Sequence, residues 1–214
     1  MPDYGPADLK RDLSLDDAQI ARIAAHRALL ADWSQRMNLI GPKELDQYWR
    51  RHALDSAQLV RLAPEGRRWI DLGAGAGFPG LIVAALIADA PGAEVALVEA
   101  TGKKAAFLRE AVAVMGVPAV VLHGRAETVV PKAARYDVVT ARAFAPLPRI
   151  MDYARPVLSR GAVGLFLKGA DLDGELAAAA AAGWAIEADT VESLSDPRGR
   201  ILRVTSARRP GAQG

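Results

Sequence analysis

The sequence predicts an α/β fold: a seven-stranded, mostly parallel sheet with helices on its faces, preceded by an N-terminal helical extension. Three observations carry this. From residue 67 onward, short apolar runs alternate with helix-like stretches, the pattern that builds a parallel sheet. A run ending at Asp71 leads into Gly73, Gly75, Gly77 and Gly80 and then into a second apolar run over 81–87. That order reads as a strand, a tight loop and a helix start, with glycine where the backbone takes positive φ or approaches a ligand. The first 66 residues show helical periodicity instead.

In the extension, Ser14-Leu15-Asp16-Asp17 reads as a helix start with acids in its first turn. From there Ile23, Leu30 and Met37 recur every seven residues, with Trp33 and Ile40 on the neighbouring row, as in an amphipathic helix. His26 shares the row of Trp33 and reads as a packed histidine rather than a catalytic one. Gly41-Pro42 is expected to stop this helix. A second helical stretch spans 43–62, and Pro64-Glu65-Gly66 breaks the chain before the sheet. The expected strands are 67–72, 94–98, 119–122, 136–141, 162–168, 184–191 and 201–206; the expected helices are 81–90, 103–115, 150–158 and an alanine-rich 171–182. The chain thus divides into an extension (1–66), an α/β domain (67–207) and a flexible tail (208–214).

Composition narrows the classes. The 214 residues suffice for one domain with a small appendage. No apolar run reaches the roughly 18 residues of a membrane span, and the polar start, with Asp3, Asp8 and Asp12, does not read as a signal peptide. There are no cysteines, which removes disulfides, thiolate ligands and a cysteine nucleophile and is compatible with the cytoplasm. His26, His52 and His123 lack metal-ligand spacing, so no metal is expected. The net charge is +2, and residues 1–66 carry nine Lys/Arg against ten Asp/Glu, so the extension is not a bulk basic tail.

The glycine loop fits two ligands. Gly75-Ala76-Gly77-Phe78-Pro79-Gly80 has the spacing of a dinucleotide loop, while Asp71-Leu72-Gly73-Ala74-Gly75-Ala76-Gly77 resembles the first motif of S-adenosylmethionine (SAM) methyltransferases. The loop alone does not choose between hydride and methyl transfer. Glu99 closes the second strand, 19 residues beyond Gly80, where an acid accepts hydrogen bonds from the ribose hydroxyls of an adenosine-containing ligand. Asp71, beneath the loop, can organise its N–H groups or meet a cationic ligand group. Arg125-Ala126-Glu127 follows the third strand, beside the place of an adenine. Arg142 and Lys168 end the fourth and fifth strands, at the mouth where a transferred group meets its acceptor. Arg198, Arg200, Arg203, Arg208 and Arg209, with no acid after Asp196, read either as phosphate contacts or as a solvated defence of an edge strand.

An ordered set of short motifs carries a family resemblance. It comprises Met37-Asn38-Leu39-Ile40, Arg51-His52-Ala53-Leu54-Asp55-Ser56, the loop itself, Gly102-Lys103-Lys104 with Phe107-Leu108-Arg109, Gly124-Arg125-Ala126-Glu127, Ala141-Arg142-Ala143-Phe144-Ala145 and Leu167-Lys168-Gly169. Over about 33–203 the chain resembles the bacterial 16S ribosomal RNA guanine-N7 methyltransferases, the methyltransferase G family once called glucose-inhibited division protein B. The resemblance implies a class I, Rossmann-like SAM-dependent sheet over 67–207 with a helical cap. It implies SAM contacts at Gly73, Phe78, Ala126, Glu127 and Arg142, beside the loop candidates Asp71, Gly75 and Gly77 and the strand-end acid Glu99, with S-adenosylhomocysteine as product. Its target would be a guanine in the decoding-region loop of 16S ribosomal RNA, free or in the small subunit. Asn38, Arg51, His52, Lys103, Arg125 and Lys168 become candidate RNA contacts, with Arg142 and Lys168 positioning groups at the mouth. Nothing in the sequence demands a dimer, so a cytoplasmic monomer with no metal and no membrane partner is expected.

Guanine N7 presents an in-plane lone pair and needs no deprotonation, so alignment is the enzyme's main task. Pyrimidine C5 methylation normally uses the cysteine this chain lacks. Ribose 2′-hydroxyl methylation would enlist Lys168 as a base. Outside methyl transfer stand a nicotinamide-dependent oxidoreductase sharing the loop, for which no proton donor stands out, and a ribosome-binding module without a cofactor.

Overall fold

The structure is a computed structural model that describes residues 4–37, 39–132 and 135–209. The extension begins with a helix the periodicity did not announce, α1 (Pro6–Leu13), which buries Leu9 and Leu13. Helix α2 (Asp17–Arg36) is capped by Asp16, whose carboxylate accepts from the Gln19 N–H at 2.7 Å while Gln19 Oε1 accepts from the Asp16 N–H at 3.0 Å, a reciprocal capping box. It ends at Arg36, before Met37 and Ile40. Gly41-Pro42 does not stop it. Gly41 caps α3 (Pro42–Asp46), with Pro42 in its first turn, where a missing N–H costs nothing. The expected single helix over 43–62 is likewise divided: α3 gives way to a π-helical segment Tyr48–Leu54, then α4 (Asp55–Ala57) and α5 (Leu59–Leu62). Wide π turns recur at functional sites, and this one carries His52.

The rest alternates as expected: β1 (Arg68–Leu72), α6 (Gly80–Ile87), β2 (Glu94–Glu99), α7 (Gly102–Met115), β3 (Ala119–His123), α8 (Ala126–Val129) with a 3-10 turn Val130–Lys132, β4 (Val138–Arg142), α9 (Leu147–Leu158), β5 (Val163–Lys168), α10 (Leu172–Ala181), β6 (Ala185–Glu192) and β7 (Arg200–Arg208). The sheet order is β3-β2-β1-β4-β5-β7-β6. The strands β1 to β5 pair in parallel, and β7 runs antiparallel between β5 and β6. The order reverses between β1 and β4, so the crevice beyond their carboxyl ends is where such a sheet takes its ligand.

One core lies on each face. Leu81, Ile82 and Phe107 meet Leu9, Ile23, Leu30 and Tyr48 of the extension on one side; Ile150, Met151 and Ala154 of α9 cover the other. The extension therefore shares the core of one sheet face. His26 links the two parts. It is fully buried, accepts the Tyr48 hydroxyl proton at Nδ1 (2.7 Å) and donates from Nε2 to the Ala76 carbonyl (2.9 Å) in the glycine loop. Burial lowers its pKa to about 4, so the imidazole is neutral, a packed histidine that holds the loop to the cap.

The strand β7 lies one place in from the sheet edge, so its arginines do not guard an edge. Arg203 meets Asp189 at 2.8 Å and Arg208 meets Glu187 at 3.3 Å, both on β6, and Arg209 meets Asp152 at 3.3 Å. These cations are answered by acids of the chain itself. The tail expected from 208 is not free at its start, since β7 includes Arg208 and Arg209 meets Asp152; residues 210–214 lie outside the described residues. Among the described residues no helix is long and apolar enough to cross a membrane.

Candidate active site

Gly73, Gly75 and Gly77 hold φ of +71, +56 and +93°, the left-handed region that glycine enters freely. Asp71 sits beneath them, 1% exposed. It accepts from the Gly80 N–H at 2.9 Å and from the Thr140 hydroxyl at 3.0 Å, joining the first turn of α6 to β4. Burial pushes its carboxyl up to about 7, against the opposing pull of those two donors and of Arg142. Glu99 accepts from the Gly75 N–H at 3.0 Å and from the Thr101 N–H at 2.7 Å, which fixes the loop against the end of β2.

A cavity of about 230 Å³ opens there, framed by Gly73, Gly75, Glu99, Lys104, Ala126 and Phe144. A Cβ on Gly75 would meet nothing nearer than the Gly73 carbonyl at 3.7 Å, so a side chain would enter the cavity instead of packing. One on Gly73 would lie 2.2 Å from the Phe144 ring. A bare backbone floor, a carboxylate at the end of β2 and a nearby ammonium suit the close approach, ribose hydroxyls and carboxylate of SAM, so the residues fit that ligand.

Arg142 leaves β4 toward the cap. Its Nη2 donates to His52 Nδ1 at 2.6 Å, and its Nη1 lies 3.7 Å from Asp55 Oδ2. The His52 ring stacks on Phe78, centroids 4.6 Å apart, and the guanidinium lies 5.6 Å from the Phe78 centroid. Burial first and Arg142 second lower the His52 pKa to about 3, so the ring is neutral with a bare Nδ1. Arg142 Nη1 is buried and has no hydrogen-bond partner, a state that costs free energy unless an acceptor arrives. Asp55 in turn accepts from Ser193 (2.9 Å) and Ser195 (2.8 Å), tying the β6–β7 connection to the cap.

Two further cavities flank Arg142. The larger, about 610 Å³, lies among the Ala143–Pro146 turn, Lys168 and Glu175; the other, about 300 Å³, is ringed by Arg51, Arg142, Lys168 and Arg198 with Asp55 and Asp196. Ala143 and Phe144 border both the 610 Å³ cavity and the glycine-loop cavity. Ala143 holds φ of +47°, an unusual conformation for a residue with a Cβ and one that clusters at functional sites.

The candidate residues therefore separate. Gly73, Gly75, Glu99 and Ala126 converge on one cavity, and Arg51, Arg142 and Lys168 on another. Asp71 supports the loop from beneath, while Gly77 and Phe78 face the cap: a Cβ on Gly77 would lie 3.0 Å from His26 Nε2, and the Phe78 ring stacks on His52. Glu127 borders a separate depression with Arg149 and Tyr153. Arg125 is exposed, 3.9 Å from Glu127; Lys103 is exposed at the start of α7, where its neighbour Lys104 reaches the cavity instead. Asn38 lies outside the described residues. Lys104, Asp55 and Phe144 stand in the sequence motifs without a role of their own. Glu175 and Ser195 gave no signal, Glu175 because an alanine-rich stretch reads as a plain surface helix.

The sheet order, the glycine loop and the acid at the end of β2 define a class I SAM-dependent methyltransferase fold. Solved structures with this fold include an O-methyltransferase from Bacillus cereus in complex with S-adenosylhomocysteine (TM-score 0.60, 14% identity, 85% of this chain and 90% of that one) and Aeropyrum pernix fibrillarin with natively bound SAM (TM-score 0.55, 20% identity, 72% and 75%). A sequence model of the family described as GidB, rRNA small subunit methyltransferase G, matches residues 19–199. The ribosomal RNA small subunit methyltransferase G of Caulobacter vibrioides (strain NA1000 / CB15N) is 48% identical over 188 residues, 88% of this chain and 85% of that protein. The chain belongs to the rRNA small subunit methyltransferase G family.

Proposed function

We propose that the protein binds SAM in the glycine-loop cavity and methylates N7 of a guanine in the decoding-region loop of 16S ribosomal RNA. The observation that carries this is the adjacency of two cavities across one strained turn: a nucleotide-type cavity beside a roomier one, sharing Ala143 and Phe144. When bound, SAM supplies an activated methyl on a sulfonium. Glu99 holds the loop open for the adenosine part, with Ala126 beside it, and Lys104 offers a donor to a carboxylate. Phe144 is the wall between cofactor and acceptor.

Guanine N7 asks for no general base. Lys168 Nζ already donates to Glu175 at 2.6 Å, a donor's arrangement rather than a base's, which speaks against ribose 2′-hydroxyl chemistry. Arg142 brings an unsatisfied donor to the mouth, suited to a phosphate, a carboxylate or guanine O6. His52, buried between Phe78 and Arg142, positions that guanidinium and is not a surface contact for RNA. Arg51, Arg142, Lys168 and Arg198 form a cationic ring suited to a phosphate, so RNA lies across the junction of cap and sheet. Arg125 and Lys103, both exposed, and Asn38 are proposed contacts at its margin. The protein acts as a cytoplasmic monomer on RNA or on the small-subunit particle.

The test is transfer of labelled methyl from SAM to small subunits from a strain lacking this gene. Transfer that disappears in Gly73→Asp supports the assignment. Saturable NAD(H) binding with none of SAM would replace it with an oxidoreductase.

A further inference from the structure

The wall of the larger cavity carries a pair that alignment of N7 does not require. Lys168 Nζ donates to Glu175 Oε2 at 2.6 Å, and the Leu147 backbone N–H donates to the same oxygen at 2.9 Å. Glu175 Oε1 takes no hydrogen bond from any described residue. The Lys168 side chain is 6% exposed and that of Glu175 29%, so the wall presents an anchored ammonium beside a carboxylate with one open oxygen. Glu175 borders this cavity and not the glycine-loop cavity.

Purine edges make that arrangement selective. In guanine, O6 lies between N7 on one side and N1–H with the 2-amino group on the other. A base whose N7 faces Ala143 and Phe144 directs its N1–H and 2-amino donors away from them, toward the part of the cavity bordered by Glu175, whose carboxylate the Leu147 N–H holds three residues beyond Phe144. A carboxylate there accepts them, and an ammonium next to it meets O6. Adenine offers the reverse order, a donor at C6 and an acceptor at N1, and meets the same wall donor to donor and acceptor to acceptor. Extruded bases are commonly read on this edge. We propose that Glu175 selects guanine, its open oxygen accepting from N1–H and the 2-amino group while Lys168 donates to O6. The inference rests on the N7 reading above and adds the residue that recognises the base.

The test compares small subunits reconstituted with 16S RNA carrying guanosine or inosine at the target. Inosine keeps N7, O6 and N1–H and lacks the 2-amino group. Wild type should favour guanosine in kcat/KM by about tenfold or more, the order expected of a hydrogen bond to a charged group. Glu175→Gln can still accept from Leu147 and Lys168 but turns an amide donor toward the base. It should lose about tenfold or more on guanosine, and its preference for guanosine over inosine should fall to within about twofold, with SAM affinity unchanged. A wild type without preference overturns the proposal, even if the variant fails to fold. So does a variant slowed equally on both substrates, which is what a merely structural Glu175 would give. Product in a nucleoside other than 7-methylguanosine removes the N7 reading and this inference together; 7-methylguanosine with unaltered discrimination in the variant removes the inference alone.

Discussion

At the residue scale, burial decides the state of three titratable groups, and it acts in two directions. Asp71 moves from an unfolded value near 3.8 to about 7. Between those values the native chain keeps a proton that the unfolded chain releases, so this contribution to stability falls as pH rises through the window and is flat above it. Thermal unfolding should show wild type losing stability relative to Asp71→Asn between about pH 4 and 7, with no further change at higher pH. His26 and His52 do the opposite. Their native values of about 4 and about 3 lie below the unfolded 6.5, so their contribution is fully present above 6.5 and is lost as the medium becomes more acidic. Glycine gives a steric counterpart. A Cβ on Gly80 would lie 2.4 Å from Leu97 and 2.8 Å from the Asp71 carboxylate. Gly80→Ala should cost about 1–3 kcal/mol, as overpacking does, with the loss read from denaturant midpoints. The sequence exposed this chemistry unevenly. Asp71 and the glycines were legible because their spacing along the chain is the motif; the His52–Arg142 bond was not, because 90 positions separate its partners and only the fold brings them together.

At the element scale, the site is assembled where elements distant in sequence meet. The β6–β7 connection reaches the cap through Ser193 and Ser195 on Asp55, while Gln58 donates to Ser193 at 3.0 Å and accepts from the Leu194 N–H at 2.9 Å. Asp55 also faces Arg142, and both side chains keep a fifth or less of their surface. Asp55→Ala strips several buried donors of their acceptor and leaves a buried guanidinium without its counter-charge. It should cost about 3 kcal/mol and raise the KM for RNA more than that for SAM, since Asp55 does not border the glycine-loop cavity. The elements themselves were largely readable: every strand fell within a few residues of its expected place, because alternating apolar runs report burial directly. The cap was not. Its π-helical turn packs on α1 and α3 and sets Tyr48 and His52 against Phe78, while α4 and α5 pack on α6, contacts between distant positions that no local pattern reports; Gly41-Pro42, which as a dipeptide suits either a stop or a start, is a start because Gly41 caps α3.

At the scale of the whole molecule, a sheet and its cap frame the glycine-loop cavity, the roomier cavity beyond Phe144 and a ring of Arg51, Arg142, Lys168 and Arg198 at one end of the strands. Binding of small-subunit RNA should weaken with salt, with a log–log slope near −0.7 per phosphate neutralised on single strands. Arg51→Ala should make that slope shallower by about 0.7 without altering SAM affinity, as measured by filter binding across a salt series. Arg203 and Arg208 of β7, engaged by acids on β6, should alter it little. The position of the methyl group itself tests N7 methylation most directly: labelled transfer to small subunits lacking the modification, followed by nucleoside analysis and by reduction and aniline cleavage, which breaks RNA at 7-methylguanosine. All label should appear in 7-methylguanosine, with a single cleavage in the decoding-region loop of 16S ribosomal RNA. Label in any other nucleoside, or an unlabelled subunit with the protein folded and SAM bound, would contradict it.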